Sequence, residues 1–155
     1  MKQTETKELL MDLREDTICC SLDDEEIEKI STFFELVHYP AGTVVFKEGD
    51  PGDFIGFVVN GKLEVKKQTE FKGNQIIIAL LSRGALVGEL SVFDRHKRSA
   101  TVEAVEDTTM MILREEALES LFEQYPHAGI KILKSLIRVL SIRLRKVTDR
   151  LTTIF

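Results

Sequence analysis

The chain has 155 residues, of which 43% are hydrophobic and 30% charged, and a formal net charge of −5. That is the size and composition of one globular domain around one core. No apolar run reaches the roughly 20 residues of a membrane span. The N-terminus is polar and carries no secretory pattern, so the expected place is the cytoplasm. The acidic balance argues against a general nucleic-acid binder.

The charge is unevenly spread. Residues 131–155 hold seven Lys or Arg against one acid, which is +6 there and −11 over the rest. A solvated basic face accounts for this; an acidic partner or a membrane surface is the alternative.

In chain order, residues 5–14 read as a short helix with Leu9, Leu10 and Leu13 on one side. Ser21-Leu22-Asp23-Asp24 suits the capped start of a second helix, in which Ile27, Ile30, Phe33 and Phe34 form a core-facing stripe. From residue 36 to 113 the pattern changes to short strands with turn signals between them. Eight of the nine glycines fall between Gly42 and Gly88, which marks a turn-rich β region. Asn60-Gly61 is the strongest hairpin signal. Leu63 and Val65 alternate with Lys62, Glu64 and Lys66, giving that strand one wet face. Ile76 to Leu81 is apolar throughout and reads as a strand buried on both sides. Thr108 to Leu113 closes the series. Many short strands without intervening helices predict a mainly β fold, a jelly-roll-like barrel of the double-stranded β-helix kind.

Residues 114–124 read as a helix, and Pro126 fits the first turn of another. That last helix carries Ile130, Leu133, Ile137, Leu140, Leu144, Val147, Leu151 and Ile154 in alternating steps of three and four, a heptad seam. The part from about Leu140 outward is expected to pair with the same helix of a second copy, giving a homodimer. The whole of 1–155 is read as one domain: helices over 5–34, the barrel over 36–113, and C-terminal helices over 114–153.

The stretch Gly84 to Ala104 carries the chemistry. An arginine fork matches two oxygens of a phosphodiester with parallel donors. If Glu89 to Phe93 forms one helical turn, its free N–H groups point at the same anion. Gly88 lets the backbone come close. Glu89, an acceptor only, suits a hydroxyl such as a ribose 2′-OH. On spacing alone, Glu89 and Arg98 fit an ordinary surface ion pair equally well.

Val87-Gly88-Glu89-Leu90-Ser91, a loop, and then Lys97-Arg98-Ser99-Ala100-Thr101-Val102 resemble the phosphate-binding cassette of cyclic-nucleotide-binding domains. These are the sensor domains of the CRP and protein kinase A regulatory-subunit type. Tyr39-Pro40-Ala41-Gly42, Phe46 to Asp53 and Asn60 to Val65 are similar to the family's earlier strands and turns, so the resemblance covers roughly residues 20 to 145. Lys97 replaces the common proline, and Arg95-His96-Lys97 makes the loop tip basic. The adjacent Cys19 and Cys20 cannot bridge without strain. The resemblance places them among apolar residues under the barrel, as small buried hydrophobes in a reducing compartment.

The resemblance implies a receptor for a cyclic nucleotide, cAMP ahead of cGMP because Ser99 rather than Thr follows the arginine. Arg98 and the N–H groups of Leu90, Ser91 and Ala100 would hold the cyclic phosphate, with the Ser99 hydroxyl in support. Glu89 would accept from the ribose, and a residue of the last helix (Arg143, Val147 or Thr148) would close over the base. Ligand would move that helix and so reach a downstream protein. No DNA-reading helix-turn-helix follows before Phe155, so no direct nucleic-acid contact is expected. The alternative is a dimerising or docking module that keeps the fold and binds no nucleotide. An enzyme is not expected. His38, His96 and His127 are scattered, with no metal set, no catalytic Ser-His-acid arrangement and no phosphate loop of the Walker kind. No cofactor is expected beyond the ligand.

Overall fold

Hydrophobic periodicity changes twice along the chain, from helical to alternating and back, and the elements follow it. The computed structural model describes residues 2–71 and 73–154. Helix α1 (Lys2–Leu13) buries Thr6, Leu10 and Leu13. Helix α2 (Asp24–Ile30) starts where the sequence places a cap. The Asp23 carboxylate accepts from the Glu26 N–H, the Glu26 carboxylate accepts from the Asp23 N–H, and Ile27 and Ile30 turn inward.

Eight strands follow: β1 (Glu35–Tyr39), β2 (Val44–Phe46), β3 (Phe54–Asn60), β4 (Leu63–Gln68), β5 (Gln75–Leu81), β6 (Leu86–Val87), β7 (Thr101–Ala104) and β8 (Thr108–Arg114). They form two antiparallel four-stranded sheets, ordered β1-β8-β3-β6 and β2-β7-β4-β5. The jelly-roll-like expectation holds as a sandwich of two sheets rather than a closed barrel. Helix α3 (Glu89–Asp94) lies between β6 and β7, and α4 (Glu115–Gln124) and α5 (Pro126–Ile154) complete the described chain.

Strands β3 and β8 are buried on both faces. Phe54, Val58, Met110 and Ile112 pack toward the second sheet with Leu63, Val102 and Ala104. Ile55, Phe57, Val59, Met111 and Leu113 pack against Leu10, Leu13, Ile27, Leu118, Ile132 and Leu136 of the helices. This double burial corrects the expectation for Ile76 to Leu81. That run is β5, at the edge of its sheet, with Ile76 55%, Ile77 58%, Ile78 48% and Leu80 62% exposed. The two apolar runs look alike in sequence; only one occupies a central position under helices.

Asn60-Gly61 is a second correction. It joins β3 to β4, which belong to different sheets, so it is a corner and not a hairpin. Gly61 has φ +99, and a Cβ there would lie 2.5 Å from the Asp107 carbonyl. The turn chemistry therefore serves close approach to the β7–β8 corner, where the Lys62 N–H donates to Thr108 Oγ1 at 3.1 Å. The hairpin is β4–β5.

Helix α5 buries Ala128, Ile132 and Leu136 against the core. The heptad line Ile130, Ile137, Leu144 and Leu151 lies on another face and is 51%, 61%, 68% and 53% exposed. The structure splits the expected seam: Leu133 and Leu140 pack against the core, Ile130 and Ile137 are exposed, and both lines lie outside only from Leu144, where Leu144, Val147 and Leu151 are exposed. The side chain of Ile154 lies outside the described residues. Of the two cysteines only Cys19 is buried, and burial pushes its thiol up to about 12. Cys20 is exposed, with its sulfur 3.6 Å from Ser135 Oγ on α5, which corrects the reading of both as buried.

Candidate functional site

Strand β6 is followed by Gly88, whose φ of +80 and lack of space both require glycine: a Cβ would lie 2.5 Å from Arg98 Nη1 and 3.0 Å from the Phe54 carbonyl. Helix α3 starts directly after it with no side-chain cap. The N–H groups of Glu89, Leu90 and Ser91 therefore have no intrahelical acceptor. Ser91 is buried and Leu90 half-exposed. The α3 helix ends at Arg95, also left-handed, and the His96 N–H donates to Asp94 Oδ1 at 3.0 Å. The basic tip Arg95-His96-Lys97 is exposed.

The chain is tied down again at Arg98. Its N–H donates to the Asp50 carbonyl and its carbonyl accepts from the Gly49 N–H, both at 2.8 Å. The side chain turns inward and is only 3% exposed. Nη1 donates to the Gly88 carbonyl at 2.9 Å and Nη2 to the Phe54 carbonyl at 2.8 Å. The guanidinium carbon lies 4.1 Å from the centre of the Phe46 ring and 4.7 Å from that of Phe54. Cation–π contact and two carbonyls thus hold it.

Arg98 forms no ion pair among the described residues, and its Nε, also buried, has no hydrogen-bond partner. Burial pulls the guanidinium below its ordinary range, opposed by the fields of Asp53, Glu89 and Asp50. A guanidinium starts so high that it stays charged. The result is a buried cation without a neutralising partner, an arrangement that is costly unless an anion completes it.

Glu89 is buried too, and its partner comes from 54 residues away: Arg143 Nη1 on α5 donates to Glu89 Oε1. Arg143 Nη2 donates to the Leu86 carbonyl at 3.0 Å. One arginine therefore ties α5 to β6 and to the start of α3. The alternative of a surface ion pair between Glu89 and Arg98 is overturned, since both are buried and they do not pair.

The structure brings Gly88, Glu89, Leu90, Ser91, Arg98, Ser99 and Ala100 together at the β6–α3 and loop–β7 junctions. Of the three helix candidates only Arg143 reaches them. Val147 is exposed, and the Thr148 hydroxyl donates to the Leu144 carbonyl of its own helix at 2.9 Å. Sequence reasoning missed Phe46 and Phe54 as the walls of the Arg98 site. It also missed Arg143 as the partner of Glu89. Two surface hollows, at Thr69–Ile76 and between Glu26 and Ala128, lie away from these residues.

A family profile described as the cyclic nucleotide-binding domain matches residues 36–125, from β1 past the end of α4. The chain belongs to that family. Among curated proteins, this cyclic nucleotide-binding domain is 35% identical over 105 residues to the cyclic AMP receptor protein of Thermus thermophilus, covering 68% of the chain and 48% of the relative. It is 26% identical over 130 residues to the CRP-like cAMP-activated global transcriptional regulator of Mycobacterium tuberculosis, covering 84% of the chain and 56% of the relative. The chain thus spans about half the length of these relatives. Among solved structures, a cyclic nucleotide-binding domain from Methylobacillus flagellatus superposes with a TM-score of 0.85 at 27% identity, covering 99% of the chain and 85% of its counterpart. The family's domain is a ligand-binding regulatory one. Among the described residues no helix is long and apolar enough to cross a membrane.

Proposed function

We propose that this domain is a receptor for a cyclic nucleotide, cAMP in preference to cGMP, and that it reports the ligand by moving α5. The single observation that carries this reading is Arg98: a buried, unneutralised guanidinium with a spare Nε donor, beside the uncapped start of α3. A cyclic phosphate supplies the missing anion. It accepts from Arg98 and from the N–H groups of Leu90, Ser91 and Ala100, with the Ser99 hydroxyl in support. Glu89 accepts from the ribose 2′-OH.

Arg143 supports the relay. A hydroxyl that hydrogen-bonds Glu89 competes with Arg143 for one carboxylate, so occupancy weakens a tie between α5 and the cassette. The shift is driven only by the difference in ligand affinity between tied and released states. The exposed line Ile130, Ile137, Leu144 and Leu151 supports a homodimer through α5, and a downstream protein would read its rearrangement. Two free cysteines fit a reducing, cytoplasmic setting. The role is binding, not catalysis.

One observation favours the second reading, a docking module that binds no nucleotide: Glu89 is already engaged by Arg143. Isothermal titration of cAMP, cGMP and the dinucleotide messengers separates the two. Saturable binding of cAMP, tighter than cGMP, is the expected result; heat from none of them leaves the docking module.

A further inference from the structure

Strand β4 carries an exposed lysine near its end, on the register of its inward residues. Leu63 and Val65 turn toward the core between the sheets, and Lys66 turns the other way to Glu103 at 2.9 Å and Glu64 at 3.3 Å. By the two-residue period of a strand, Lys67 shares the inner face with Leu63 and Val65. The extra residue at the β4–β5 irregularity lies on β5, so the alternation along β4 is unbroken.

The Lys67 side chain, at the end of the strand, stays 48% exposed, and its ammonium still has two partners. Nζ donates to the Ser99 carbonyl at 2.6 Å and lies 3.4 Å from Glu48 Oε1. Glu48 is itself held: Oε2 accepts from the Gln68 N–H at 3.1 Å, and its own N–H donates to Thr101 Oγ1 at 3.0 Å. The Gln68 N–H, with Lys67 adding to it, keeps the Glu48 carboxyl below the usual carboxylate range. Lys67 thus bridges the β2–β3 turn, β4 and the segment that leads from Arg98 into β7.

The Ser99 carbonyl and the Ala100 N–H belong to one peptide unit. That unit is planar and trans, so an ammonium on the carbonyl oxygen points the N–H the opposite way. A cation on the oxygen also polarises the unit and strengthens the N–H as a donor. No other group among the described residues takes up the Ala100 N–H.

We infer that Lys67 is a positioning residue of the phosphate site: by binding the Ser99 carbonyl it aims and strengthens the Ala100 N–H toward the ligand's anionic group. This rests on the receptor reading above and adds to it a group outside the cassette. Lys67 also places a second positive charge beside Ser99, which Arg98 precedes.

The 155-residue chain tests this with Lys67→Met, which keeps the stem and removes the charge, and Lys67→Arg, which keeps the charge. Two readouts are needed. In the ligand-free protein, the Ala100 amide proton moves upfield in Lys67→Met and returns toward its original position in Lys67→Arg. In calorimetry, cAMP binds about tenfold more weakly to Lys67→Met, the scale of one charge-assisted hydrogen bond, and Lys67→Arg recovers most of it. The preference for cAMP over its 2′-deoxy analogue is unchanged in both variants, because the ribose end is read by Glu89. An Ala100 amide that does not respond overturns the inference. So does a loss of affinity that Lys67→Arg fails to recover, or one that carries the 2′-deoxy preference away with it. If the unsubstituted chain binds no cyclic nucleotide, the receptor reading fails by itself, and the amide shift still decides whether Lys67 orients the peptide.

Discussion

Two charged side chains flank Gly88, and each is buried with a different kind of partner. Arg98 has carbonyls and aromatic rings but pairs with no acid among the described residues; Glu89 has an arginine from another element. Truncating one partner of a buried charge pair costs about 2–5 kcal/mol. Arg98→Ala should therefore weaken cAMP by about 30-fold or more, and calorimetry giving an unaltered dissociation constant would count against a phosphate role for Arg98. Arg98→Lys should recover little, since an ammonium cannot span the Gly88 and Phe54 carbonyls and an anion together. Glu89→Ala should lessen discrimination against 2′-deoxy-cAMP; equal discrimination in both proteins would show that Glu89 does not read the ribose.

At the level of elements, α5 and α2 make opposite demands on their ends. Helix α5 continues well past its buried stripe and is tied to the cassette through Arg143. Arg143→Ala removes that tie, so trypsin should cut faster at Arg145 and Lys146 while the cuts in the sandwich stay slow; an unaltered digestion pattern would mean that the outer helix is held by something else. Helix α2 depends on Asp23. The Glu26 N–H holds the Asp23 carboxyl below its ordinary 3.8, so its folded-state value is depressed. Such a group stabilises fully above the ordinary value, and its contribution fades as pH falls through the folded one. Asp23→Ala should lower the melting temperature by about 2–4 °C at pH 7, the scale of one cap in a chain of this size. The gap from the unsubstituted chain should close as the pH drops below 3.8. A gap that persists in strong acid would mean the loss is not the cap's.

For the molecule as a whole, the covered and uncovered apolar surfaces divide the chain. The two faces of β3 and β8 are saturated, by the second sheet on one side and by helices on the other. Helix α5 leaves one position of each heptad outside, Ile130, Ile137, Leu144 and Leu151, while Leu133 and Leu140 pack on the core. Light scattering at micromolar concentration should give twice the 17.6 kDa of one chain, and Leu144→Glu with Leu151→Glu should return it to one. A monomeric unsubstituted chain would end the dimer reading. The same comparison shows how far the pattern of residues could be read. The stripe of α1, a capped helix start within Ser21–Asp24, the β region, α4 and the start of α5 at Pro126 were legible, whereas the second helix stops at Ile30, short of the Phe33 and Phe34 read into its stripe. The burial of β5 and the hairpin at Asn60-Gly61 were not. An apolar run of six looks the same at the centre of a sheet and at its edge, and a glycine turn looks the same whether it reverses a strand or carries it to another sheet.

By itself, the sequence determined what is local: periodicity, caps, turn chemistry, and the spacing that puts an acid, an arginine and a glycine on one short segment. Each of these depends on neighbours within a few residues. Only the tertiary structure decided which apolar run is covered, which face of α5 is free, that Phe46 and Phe54 wall the Arg98 site, and that Glu89 answers to Arg143. These pairings join residues from 44 to 54 positions apart for the cassette. They depend on how two sheets and a long helix pack, which no short window of residues encodes.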